Sequence, residues 1–165
     1  MEKKRKGFTF VELLIVIIII AALSAVIMMY FSDSVYTTKA NTIVSNMSIV
    51  KNAVMFYAAS DIRPTLERFK ANVETYLGDK AIREGNNYST GTDPVIYPVM
   101  YQDNVSYDVT SDDQGFWYVR AEFTNDPDAE GIKEKLVGVS SDIGLLNDNR
   151  APYSGTGDIV KIRIQ

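Results

Sequence analysis

The sequence predicts an α+β protein: one long N-terminal helix, apolar in its first half, packed against a small antiparallel sheet. Three observations carry this. Leu13 to Phe31 form an apolar run in which Ser24 is the one plainly polar residue. A second apolar stripe, Ile43, Met47, Val50, Val54 and Tyr57, then recurs at helical spacing. Beyond Pro64 the pattern changes to short alternating segments separated by Gly, Asn, Asp and Pro, the mark of strands and turns.

The chain has 165 residues, of which 46 % are hydrophobic and 23 % charged. It is too apolar for a disordered chain. There is no His and no Cys. That excludes Cys/His zinc sites, Cys nucleophiles, His-based triads and disulfides. A net charge of −4 argues against a nucleic-acid partner held by phosphate contacts. No cofactor site is expected.

The N-terminus opens with Met1-Glu2-Lys3-Lys4-Arg5-Lys6-Gly7, four cations and one acid. Phe8-Thr9-Phe10-Val11-Glu12 and the apolar run follow. As a helix, the run covers roughly 28 Å, close to the hydrocarbon core of a bilayer. Basic residues before it place the N-terminus in the cytoplasm and the bulk of the chain outside.

Three interpretations compete for this segment. It is a plain membrane anchor, or a secretory signal cut after Ala22-Leu23-Ser24, or a leader cut in front of the helix, between Gly7 and Phe8. Glu12 favours the third. A carboxylate dragged to the bilayer centre costs up to about 2.5–3.5 kcal/mol, and the first two interpretations give it no role. Cleavage after Gly7 creates an ammonium on Phe8. That cation can neutralise Glu12 within an apolar bundle, on its own helix or a neighbour's.

Lys6-Gly7-Phe8-Thr9-Phe10-Val11-Glu12-Leu13-Leu14 resembles the class III signal of type IV pilins and type II secretion pseudopilins. The resemblance is close over roughly residues 1–35. It implies that prepilin peptidase cuts between Gly7 and Phe8 and N-methylates Phe8, and that Glu12 is the family glutamate that serves assembly by neutralising that terminus. It further implies a structural, non-enzymatic subunit of a type IV pilus-like or type II secretion pseudopilus filament. Its partners are then prepilin peptidase, other pilin-like subunits, the inner-membrane assembly platform and, before assembly, membrane lipid. The precursor is single-pass in the cytoplasmic membrane with its N-terminus inside; the assembled form is a periplasmic or cell-surface filament. The alternative from another class is a membrane-anchored extracytoplasmic binding module. The chain departs from many major pilins in lacking a Gly and a Pro in the helix and a Cys pair near the C-terminus.

The expected organisation is a leader over 1–7, a membrane or filament-core helix over 8–31, an amphipathic continuation over 32–62, and an α+β head over 63–165. No Pro or Gly interrupts residues 8–62, which predicts a continuous helix on the order of 75–80 Å long. Leu66, Phe69, Val73 and Leu77 predict a short amphipathic helix stopped by Gly78. Residues 83–94 read as loop. Val95-Ile96-Tyr97 and Val99-Met100-Tyr101 flank Pro98 and suit an edge strand. Val105 to Val109 alternate, Ser111 to Gly115 make a turn, and Phe116 to Phe123 form the clearest strand. Asn125-Asp126-Pro127 signals a helix start, with Ile132, Leu136 and Val139 as its inner face. Residues 159–164 alternate as a final strand.

In the head, Asp103, Asp108, Asp112 and Asp113, and separately Asp142, Asp148 and Asp158, offer oxygen ligands for Ca²⁺. Some pseudopilins are similar in holding calcium near the C-terminal loop. No EF-hand spacing is present, and polar turns are the favoured reading of these residues. Seven of the ten Tyr lie from Tyr76 onward, with Trp117 among them. They suit half-buried strand positions better than a binding surface.

Overall fold

The computed structural model describes residues 8–81 and 99–164. Helix α1 runs without interruption over Phe10–Ser60. The chain divides into two units, Met1–Val35 and Tyr36–Gln165. The boundary falls inside α1, so the second half of that helix belongs to the head.

In the second unit, Ile43, Met47, Val50, Val54 and Tyr57 are all buried, as their spacing predicts. They pack in one core with residues of a four-stranded sheet. The strands are β1 (Met100–Gln102), β2 (Val105–Ser111), β3 (Trp117–Glu122) and β4 (Ile159–Arg163). They lie in sequence order and every pair is antiparallel. Cross-strand partners build the apolar face in rows: Tyr107, Ala121 and Val160 form one, and Val109, Val119 and Ile162 the next. All six are buried. The register is thus pinned, because a slip of one residue would turn every one of them outward.

The alternation in β2 has an exception. Asp108 lies on the other face, opposite Arg120, yet it is buried. Its Oδ1 meets Lys70 Nζ at 2.7 Å. Burial pushes the Asp108 carboxyl up in pKa, against the pull of Lys70.

Between α1 and the sheet the chain forms α2 (Leu66–Ala71), α3 (Val73–Leu77) and one 3₁₀ turn (Gly78–Lys80). The sequence predicts one helix here and the structure has two. Asn72 divides them: its side-chain amide donates to Arg68 O at 2.9 Å and its backbone leaves the helical region. Short Asx side chains compete with the backbone in this way. Gly78, at φ 58°, ends α3 as expected. Tyr57, Phe69 and Tyr76 form an aromatic cluster with ring centroids 5.4–5.9 Å apart.

Helix α4 (Ala129–Ile143) starts later than Asn125-Asp126-Pro127 suggests. Asp126 instead closes a turn, accepting the Asp128 amide at Oδ1 and the Ala129 amide at its carbonyl. Ile132 and Leu136 of α4 are fully buried. Gly131 allows a close approach, since a Cβ there would enter the ring of Tyr36. Gly144 ends α4 in the left-handed conformation. The expected loop over 83–94 and the segment Val95-Ile96-Tyr97 lie outside the described residues.

Candidate functional site

Among the described residues, no side chain of the apolar stretch from Phe8 to Phe31 is buried. Ile17 and Ile18 are each 59 % exposed, and their neighbours are similar. One window of this helix has a mean hydropathy of 3.0, long and apolar enough to cross a membrane. The Ser24 hydroxyl is satisfied locally, donating to Ile20 O at 2.8 Å. That lowers the cost of placing it in an apolar surrounding.

At the front of this surface, Thr9 and Glu12 form a reciprocal cap. The Thr9 amide and hydroxyl donate to Glu12 Oε2 at 2.7 and 2.8 Å. The Glu12 amide donates to Thr9 Oγ1 at 3.3 Å. Thr9 is the last non-helical residue and its carbonyl accepts the Leu13 amide at 3.3 Å. This is a capping box, in which orphan donors at a helix start are satisfied by side chains. Sequence reasoning that pairs Glu12 with Phe8 misses Thr9, although Thr-x-x-Glu ahead of an apolar run is the signature of such a box. Glu12 therefore has a local structural task besides any role in pairing charges. Phe8 sits just before the cap, outside the helix. Gly7 lies outside the described residues.

Residues 3–28 carry the prokaryotic N-terminal methylation motif. The motif is characteristic of type IV pilins and pseudopilins. It spans Gly7, Phe8, Thr9 and Glu12 and most of the exposed apolar helix. The motif supports a pilin-like precursor processed by prepilin peptidase, and it points to a structural protein. No curated protein and no solved structure matches the chain.

The head shows where its acidic residues go. Asp112 takes the amides of Gln114 and Phe116, the Tyr118 hydroxyl and Arg150. Asp148 pairs with Lys161 and Asp158 with Lys133, each at 2.7 Å. Among the described residues no three acidic side chains gather as a metal site. Ser48 and Lys51 stand at Ser-x-x-Lys spacing, a hydrolase pattern. Ser48 donates to Val44 O and Lys51 to Arg163 O, so neither is directed at the other. Tyr107 on β2 and Tyr118 on β3 are buried, in keeping with strand positions, whereas Tyr153 is buried outside any strand.

One cavity of about 330 Å³ opens in the head between Thr38, Lys39 and Thr42 of α1, the β1–β2 turn at Asp103 and Asn104, and Asp126. Ile43, Val105 and Ile132 form its apolar floor. Lys39 binds both Asp126 and Asp128 at 2.7 Å. Partial burial pulls the Lys39 ammonium down, but the hydrogen bonds it donates to the two carboxylates outweigh this and its pKa rises.

Proposed function

We propose that this chain is the structural subunit of a type IV pilus-like or type II secretion pseudopilus filament. The observation that supports it most is an exposed apolar helix lying directly behind a methylation motif. Residues 1–7 are the leader. Prepilin peptidase cuts between Gly7 and Phe8 and methylates the Phe8 amine.

Before assembly, α1 crosses the cytoplasmic membrane with the leader inside, its apolar surface covered by lipid. On the assembly platform, neighbouring copies replace lipid around that surface. Lipid and side chains are similarly apolar, so packing and polar contacts must favour the transfer. The Phe8 ammonium and the Glu12 carboxylate supply one such contact. The capping box keeps the Glu12 carboxylate at the helix start, within reach of a terminus at Phe8.

The test is intact mass with N-terminal sequencing, on membranes and on sheared surface material separately. A chain starting at Phe8 and carrying one methyl group, found in sheared material, is the expected result. A start at Met1, or after Ser24, would overturn the proposal.

A further inference from the structure

We infer that the Ile62–Arg63 corner of one copy docks into the Lys39–Asp126 cavity of the next copy, joining heads end to end along a filament. The inference rests on the proposed filament role and identifies a contact within it.

The corner is built to be covered. Ile62 is 97 % exposed, the most exposed large apolar side chain among the described residues. It stands two residues beyond the end of α1 and two before Pro64, where the backbone bends. Arg63 beside it makes no ion pair with the described residues. The nearby acid, Asp61, is taken by Arg68 at 3.2 Å.

The cavity has the complementary chemistry. Lys39 is one cation shared by two carboxylates, Asp126 and Asp128. Asp103 on the rim adds a third carboxylate with no cation among the described residues. Asp126 Oδ2 is buried without a hydrogen-bond partner among them. The local charge is therefore negative over an apolar floor, which suits one guanidinium next to one aliphatic side chain. Its volume falls at the low end of small-ligand pockets, enough for a protruding side chain and little more.

Lys39 and Ser60 stand at opposite ends of the head's portion of α1, roughly 30 Å apart along the helix. A surface at one end that fits a different surface at the other end makes a head-to-tail contact. Such contacts generate an open polymer when the rotation from copy to copy does not close a ring.

The chain contains no Cys, so an engineered pair reports proximity without background. Full-length chain carrying Ile62→Cys and Thr42→Cys is assembled, sheared and oxidised. A ladder of disulfide-linked oligomers is expected. Each single variant, and Ile62→Cys with Ser141→Cys on α4, should give none. In parallel, Arg63→Glu should lower filament yield about tenfold or more while leaving the Phe8 terminus intact, and adding Asp103→Asn should recover part of it. Normal filaments without the ladder would overturn the docking and leave the filament role standing. Unassembled wild-type chain lacking a Phe8 terminus would overturn the filament role and this contact with it.

Discussion

Thr9 and Glu12 satisfy one another across the first turn of α1, with two donors of Thr9 on a single oxygen of Glu12 at 2.7 and 2.8 Å. The glutamate thus has two separable properties, a capping side chain and a charge. Glu12→Gln keeps the first and removes the second, since Gln also serves in a capping box. We expect Glu12→Gln to be cut normally but to enter sheared filaments poorly. Thr9→Ala, which keeps the charge and loses part of the cap, costs about 1 kcal/mol at the helix start and should assemble. Equal incorporation of Glu12→Gln and wild type would show that the charge is dispensable.

Gly7→Leu should accumulate as precursor, because a bulky side chain crowds the peptidase at the scissile bond. Mass spectrometry of membranes should then find the chain beginning at Met1 and no methylated Phe8.

Lys39→Met leaves Asp126, whose side chain is 1 % exposed, without its cation. Removing one partner of a buried pair costs about 3–5 kcal/mol. The full chain in detergent should lose about 3 kcal/mol in urea unfolding. Adding Asp126→Asn should restore part of it, because the stranded charge is then gone.

Burial pushes the Tyr107 phenol up to about 12, against the hydrogen bond from Asn46 and with the help of Asp103. Its folded pKa lies above the unfolded value of 10.0. The unfolded chain therefore releases this proton first, and stability falls as pH rises from about 10 to 12, by about 1.4 kcal/mol per pH unit. Tyr107→Phe should flatten that slope in unfolding curves taken across this range. Asn46 would retain its bond to Gln102 Oε1.

Asp112 behaves in the opposite sense. Desolvation raises its pKa, but the Phe116 amide, Arg150, the Tyr118 hydroxyl and the Gln114 amide outweigh it and hold the carboxyl below its usual range. Its contribution is present above the ordinary Asp pKa and is lost as pH falls through the lowered one. Asp112→Asn should make the head less stable at neutral pH and less sensitive to acid, as seen by circular dichroism down to pH about 2.

Sequence alone determined the parts of this protein that depend on neighbours along the chain. The 43–57 stripe repeats at fixed spacing, and a helix turns such spacing directly into a face. The β3 strand and the Gly78 and Gly144 stops are local in the same way. The capping box is local as well, since Thr9 and Glu12 are three positions apart, but pairing Glu12 with Phe8 passed over it. Tertiary structure alone decided what joins distant positions. Asn72 split one amphipathic stripe because its amide bonded backward to Arg68 O instead of extending the helix. Asp108 lies buried in a strand because Lys70 reaches it from α2. Asp126, which reads as a helix start, became the buried partner of Lys39, 87 positions away. Periodicity states which side of an element is apolar. It carries no information about which charge on another element will face it, and that pairing emerges only when the elements dock.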